Sequence, residues 1–251
     1  MADWPAHERD AATRRVAVVP RPLREAGAGG GAAGDHDIEL LGNSLEMLQM
    51  FTIILQALGW LMFLGSTIAM GAWLRRNPGK RNAERASRIL HFLFWLCVFP
   101  PAGFGLVYPG LAGFDRELGL SPLPRHSAVL ALGVLGLLIG AYLVLVSNVA
   151  LRLLGKGANA FWLTKELVVG SIYKRMRNPM ALGIYTGALA IGLLVGSTYM
   201  TLGTLFVVIP VHVFYLKYFE EYELELRLGQ PYVEYKEQVP FLLPRWIPHK
   251  R

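Results

Sequence analysis

The chain is predicted to be an all-α, multi-span integral membrane protein with about five transmembrane helices. Three observations predict this: long charge-free apolar runs, a shortage of charged residues, and basic clusters alternating with the runs. Of 251 residues, 53% are hydrophobic and 17% charged, against roughly 25% charged in an ordinary soluble domain. Mean hydropathy is +0.38. The formal charge of +7 does not point to nucleic acid, because the basic residues lie beside apolar runs, where the positive-inside rule expects them.

The elements follow in order. Met1 to about Gly34 carries a Gly-Ala run and scattered charges and reads as a disordered tail, drawn as residues 1–44. Arg14-Arg15 is followed only by Val16 to Val19 before Pro20, too short for the roughly 7–15 apolar residues of a secretory signal. A helix needs about 20 apolar residues to cross a bilayer core. Met47–Leu74, Ile89–Phe114 and Ser127–Leu151 are charge-free and form spans one to three, within residues 45–154. Pro100-Pro101 predicts a kink in the second, or an early exit near Tyr108-Pro109. Pro179–Ser197 and Tyr199–Phe219 are spans four and five. Only a tight turn near Ser197-Thr198 can join them, so they form a helical hairpin, with a bend at Pro210.

Orientation follows from the loops. Arg75, Arg76, Lys80, Arg81, Arg85 and Arg88 follow span one, and Arg152, Lys156, Lys165, Lys174, Arg175 and Arg177 follow span three. Arg116 and Arg125 alone follow span two, beside Asp115 and Glu117. The first and third loops are therefore expected in the cytoplasm and the N-terminus outside. Cys97, the single cysteine, excludes an intramolecular disulfide and a Cys-based zinc site and reads as a small buried hydrophobe. No metal site is expected.

Residues of catalytic type gather between Gly155 and Pro248, taken as the third region, 155–251. In Arg177-Asn178-Pro179-Met180-Ala181, Asn is a strong N-cap and Pro favours the first helical position. That alone explains the motif, yet a helix start with an adjacent Arg also suits a carboxylate. Glu220-Glu221 continues an apolar span, where carboxylates are unfavourable unless they meet water, a base or a cationic ligand. The plain alternative is a solvated helix end paired with Lys217 or Arg227. Gly229 suits a helix C-terminus, and Tyr232 and Tyr235 share one face of a short helix.

Taken together, in this order and spacing, these segments resemble the C-terminal signature of the isoprenylcysteine carboxyl methyltransferase family. That signature runs Arg-His/Asn-Pro-x-Tyr-x-Gly, a hydrophobic hairpin, then Glu-Glu-x-x-Leu-x-x-x-(Phe/Leu)-Gly-x-x-Tyr-x-x-Tyr and a Pro-rich end. Here the second part reads Glu220-Glu221, Leu224, Leu228-Gly229, Tyr232 and Tyr235, with Val239-Pro240 and Pro244-Arg245 after it. Gly155-Lys156-Gly157, Thr164 to Val168 and Tyr173 resemble bacterial members. The resemblance covers about Gly155 to Pro248.

The resemblance implies an S-adenosylmethionine-dependent methyltransferase with a cytoplasmic cofactor pocket, in the bacterial inner membrane, acting on a lipophilic or small acceptor. The cofactor residues it implies are Lys165, Glu166, Leu167, Val168, Tyr173, Arg177, Asn178, Pro179, Met180, Ala181 and Glu220. Neighbours on a regular helix point about 100° apart, so Glu221 is expected to face away from the pocket that holds Glu220. Two departures stand out: Ala181 replaces the motif tyrosine, and Leu216, beside Lys217, replaces a substrate-contacting arginine. An amine or hydroxyl acceptor would need a base, for which His212 is the intramembrane candidate, although a lone helical histidine is more often a packed one. Gly183, Gly187 and Ala188 form a small-residue wall, suited to sideways entry of an acceptor or simply to close helix packing. A sterol-reductase-like NADPH oxidoreductase and a non-catalytic membrane assembly factor remain as alternatives.

Overall fold

The computed structural model describes residues 31–107, 110–155, 163 and 166–244. The chain divides into two units, Met1–Asn43 and Ser44–Arg251. What is described of the first is helical from Gly31 onward, inside the region expected to be a disordered tail. Helix propagation is cheap once a strong span has nucleated it, because each added residue gains one bond.

In the second unit, the helix that began at Gly31 (α1, Gly31–Arg76) is followed by α2 (Lys80–Val107), the short α3 (Leu111–Glu117) and α4 (Ser127–Leu154). After a 3-10 turn, Ser171–Lys174, come α5 (Pro179–Val195) and a long helix, Thr198–Leu228. That helix comprises α6 (Thr198–Gly203), a π turn at Thr204–Val208, α7 (Ile209–Tyr215), a π turn at Leu216–Glu220 and α8 (Glu221–Leu228), and α9 (Gln230–Gln238) follows. Among the described residues there is no strand. Among the described residues four helices are long and apolar enough to cross a membrane, and Pro179–Val195 is a shorter apolar helix. The chain is an integral membrane protein of helical type.

The second expected span differs in detail. Pro100 and Pro101 lie inside α2, and Phe114 belongs to the separate α3; Tyr108-Pro109 falls outside the described residues. Pro210, expected to bend span five, stands just after the first π turn. A proline lacks the N–H for its own turn and crowds the carbonyl four residues back. A wider turn accommodates both.

The hairpin between α5 and α6 is built as its sequence suggests. Gly196 adopts φ 76°, a left-handed geometry that glycine alone takes without cost. Ser197 N–H then donates to Gly192 O at 2.9 Å, and Ser197 Oγ caps α6 by accepting from Met200 N–H at 3.1 Å. Asp115 of α3, 4% exposed, accepts from Tyr199 N–H at 2.6 Å. Its charge thus meets the positive end of α6.

α4 and α5 touch backbone to backbone. A Cβ on Gly183 would fall 2.8 Å from Gly140 O, and one on Gly140 would fall 2.8 Å from Gly187 N. Small residues here permit close approach, so the Gly183 wall packs against α4. The outer face of α4 carries Leu138, Leu145 and Leu153, each more than 60% exposed, as expected of a helix facing lipid. The core, around Phe63, Leu90, Ala181, Tyr185, Tyr215 and Phe219, brings α1, α2, α5 and α7 together. Cys97 is a free, buried thiol, and a Cβ on Gly59 would overlap its carbonyl oxygen.

Candidate functional site

The Arg-Asn-Pro motif meets the chain's C-terminal segment at one end of the helices. Arg177 N–H donates to Pro240 O at 2.9 Å and Asn178 N–H to Phe241 O at 3.2 Å. Asn178 occupies the N-cap position with Pro179 at the first helical turn, yet its side chain makes no cap. Its Nδ2 instead donates to Phe241 O at 3.1 Å. The expected capping residue is a tether.

Above this tether lies a buried ionic cluster. Arg177 Nη1 is 2.9 Å from Glu221 Oε1, with side-chain exposures of 8% and 9%. Lys217 Nζ is 3.1 Å from the same oxygen, and Lys236 Nζ is 3.6 Å from Oε2. Lys236 also donates to Glu225 Oε1 at 2.5 Å. That hydrogen bond, more than any other influence, holds the Lys236 ammonium above its ordinary pKa. The expectation that Glu221 faces away is thus corrected: it is the hub, and Lys217 is its spaced partner. Arg227, the other suggested partner, pairs with Glu223 at 2.5 Å.

The cluster is close in distance but poorly aligned. Arg177 Nε and Nη1 and Glu221 Oε1 are buried without an aligned hydrogen bond, although Nη1 and Oε1 lie within ion-pair range. The two observations agree if the pair is held by charge and not by donor direction. A buried polar atom left so costs about 1–3 kcal/mol, more if charged. Glu220, half-buried, makes no ion pair or hydrogen bond among the described residues.

Three tyrosines wall the cluster. Tyr173 is 8% exposed, with Tyr232 at 5% and Tyr235 at 8%. Tyr235 Oη donates to Tyr173 O at 2.8 Å. Burial raises all three phenols above their usual value. Around Tyr232 the carboxylates of Glu220 and Glu221 raise it further, while Arg177 opposes them.

Val168, 5% exposed, packs with Ala150 of α4 and Tyr173. Ala181, 7% exposed, lies in the main core. Leu167 and Met180 are half-buried and Glu166 is exposed; Lys165 falls outside the described residues. Arg177 therefore pairs with Glu221, the chain neighbour of Glu220, and Tyr173 is held by Tyr235, whereas the Glu166 side chain is exposed. Glu221, Lys217 and Lys236 were not singled out as site residues. The spacing of Lys217 and Glu221, four residues apart, carried a signal for that pair, but nothing in the sequence pointed to Lys236.

His212 lies deeper. Its Nδ1 is 2.6 Å from Tyr185 Oη, and its ring stacks on Phe94 and on Tyr215.

Residues 128–230, from the second residue of α4 to the first of α9, match the family model described as phospholipid methyltransferase. No curated protein and no solved structure matched the chain. The match supports a membrane methyltransferase. The matched segment holds Tyr173, Arg177, Glu220 and Glu221, and the matched family is the one that includes the isoprenylcysteine carboxyl methyltransferases, which the motifs resemble.

Proposed function

We propose that the chain is an integral membrane methyltransferase that takes S-adenosylmethionine at the Arg177–Glu220 cluster and serves a lipophilic or small acceptor. The observation that carries this reading is the set of buried, unaligned charges on Arg177 and Glu221 beside unpaired Glu220. Such a set fits a ligand bearing both a carboxylate and an ammonium. Arg177 offers two donors on one edge to a carboxylate, and Glu220 offers a carboxylate to an ammonium. When bound, the cofactor supplies a methyl group on a sulfonium with a neutral thioether as leaving group. The chain's own share is alignment and exclusion of water, for which Tyr173, Tyr232 and Tyr235 are suitably buried.

The site is proposed to face the cytoplasm, in a bacterial inner membrane. Arg75, in the last turn of α1, donates to Tyr218 O at 2.6 Å, so the basic end of α1 and the cluster share one end of the unit. By the positive-inside rule that end is cytoplasmic.

Calorimetric titration of the purified full chain with S-adenosylmethionine and with NADPH tests the reading. Binding of the first alone is expected. NADPH binding would favour the oxidoreductase alternative, and binding of neither the assembly factor.

A further inference from the structure

The Arg177–Glu220 cluster leaves one polar pair unused. Tyr185 of α5 and His212 of α7 meet at 2.6 Å, among the aromatic rings of the core. Polar groups inside a span are costly and mark function by default. His212 precedes Glu220 by eight residues, which is about 12 Å along a helix. The pair therefore lies some two turns deeper than the charged cluster, toward the bilayer interior, where a lipid-soluble molecule resides.

The two levels are joined by one face. His212 stacks on Tyr215 with centroids 5.6 Å apart, and Tyr215 on Phe219 at 5.8 Å. On α5, Ala181 and Tyr185 are four residues apart, hence on one face. Ala181 puts only a methyl group between the levels. Tyr185 lies within electrostatic reach of Glu220. The titratable neighbours facing His212 are His91 of α2, Tyr185 of α5 and Tyr215 of its own helix.

We propose that Tyr185 and His212 form the acceptor half of the site, with His212 Nε2 taking the proton of a lipid-soluble acceptor whose nucleophile is a hydroxyl or an amine. The proposal rests on the methyltransferase reading above. It requires His212 Nδ1–H to donate to Tyr185 Oη, which leaves the Nε2 lone pair open. Tyr185 is then a positioning residue. The balance is complete with a sulfonium methyl donor. The acceptor's O–H or N–H bond breaks, its oxygen or nitrogen bonds the methyl carbon, the carbon–sulfur pair returns to sulfur, and the proton ends on Nε2. The imidazolium so formed stacks on Phe94 and on Tyr215, at 5.5 and 5.6 Å, within the range where aromatic rings stabilise a cation. A carboxylate acceptor has no proton to give and would leave this pair idle.

The test uses the full chain in lipid nanodiscs with 4-dodecylphenol, dodecylamine and dodecanoate as acceptor probes. Methyl transfer to the phenol or the amine is expected, and none to dodecanoate. In His212→Gln that transfer falls at least about a hundredfold, the lower range for a lost general base, while S-adenosylmethionine binding stays within about twofold. In Tyr185→Phe, which keeps the ring, kcat falls about tenfold with KM unchanged. Transfer to dodecanoate overturns the proposal. So does undiminished transfer in His212→Gln, or no transfer to either other probe by a chain that binds the donor. Should His212→Gln lose donor binding through misfolding, Tyr185→Phe decides, and unchanged kcat in it overturns the proposal. Binding of the two proton-bearing probes without any donor separates the two readings. It weakens about tenfold in His212→Gln, and binding unchanged, or absent from the unaltered chain, overturns the acceptor half whether or not the donor binds. Absence of S-adenosylmethionine binding overturns the methyltransferase reading alone.

Discussion

At the scale of single residues, the two adjacent glutamates do different work despite identical chemistry. Glu220 is half-buried and unpaired among the described residues, whereas Glu221 is held by Arg177, Lys217 and Lys236. Glu220→Gln keeps the size and removes the charge. S-adenosylmethionine affinity should then fall on the order of tenfold to a hundredfold, as for loss of a charged hydrogen bond of about 1.5–3 kcal/mol, with the melting temperature unchanged or slightly raised. Glu221→Gln leaves the buried Arg177 guanidinium poorly compensated, and breaking such a pair costs about 3–5 kcal/mol when fully buried. Two of its three cationic partners are partly exposed, at 45% and 35% of their side chains, so the lower part of that range applies. Its melting temperature should therefore drop clearly. Calorimetric titration and thermal unfolding of both variants decide the matter: unchanged affinity in Glu220→Gln sinks the site assignment. The Glu-Glu motif and Arg177 were legible in sequence because a charged residue beside an apolar span is rare. Which glutamate pairs with Arg177 was not legible, because the partner comes from a segment distant in sequence.

Among the elements, helix ends and helix contacts were read more readily than turns inside helices. Asn178-Pro179 did open α5, and the tight turn expected near Ser197-Thr198 does join it to α6, since both follow from backbone sterics acting over a few residues. Asn178's tether to Phe241 was hidden, because its partner is distant in sequence. The small residues of α5 show the same limit, since a glycine pattern does not say which glycine touches the neighbour. Gly183→Ala should destabilise by about 1–3 kcal/mol, the usual cost of overpacking, because its Cβ would meet Gly140 O at 2.8 Å. Gly187→Ala, whose Cβ meets nothing within 4 Å, should be neutral or stabilising through helix propensity. Thermal unfolding of the pair checks this, and equal losses would contradict the contact. The contacts that hold α9, from Lys236 to Glu221 and Glu225 and from Tyr235 to Tyr173, make a pH prediction. Lys236 and the tyrosines Tyr173, Tyr232 and Tyr235 all have pKa values raised by folding. Each then holds its proton longer when folded than when unfolded. The stability they contribute is complete below the unfolded values, near pH 10, and declines as pH rises beyond them. The melting temperature should be level between about pH 7 and 9 with respect to these groups and fall above about pH 10. A variant without the Lys236 contacts, Lys236→Met, should show a shallower fall.

For the whole molecule, composition and charge-free runs were enough to read a helical membrane protein, because a chain in lipid must satisfy its backbone internally. They were not enough to show that the N-terminal helix begins at Gly31, or that α3 stands apart from α2. Local polarity does not register such boundaries. Orientation is the property of the whole chain still carried by charge alone. Arg75, Arg76, Lys80, Arg81, Arg85 and Arg88 crowd the connection after the first span, whereas only Arg116 and Arg125 follow the second. The hydrogen bond from Arg75 to Tyr218 O ties the basic connection to the end of the unit that carries Glu221 and α9. One orientation must therefore serve both. If that end is cytoplasmic, a cysteine at exposed Lys80 or Gln230 is shielded from a membrane-impermeant thiol reagent added to intact cells. A cysteine at exposed Ser121, in the loop after α3, reacts. Cys97, being buried, can be replaced by alanine to give a background without thiols. Expected labelling is strong at Ser121→Cys and absent at Lys80→Cys and Gln230→Cys until the cells are opened. Labelling of Gln230→Cys in intact cells would invert the topology and put the Arg177 cluster on the outer face, where a cytoplasmic methyl donor does not reach it.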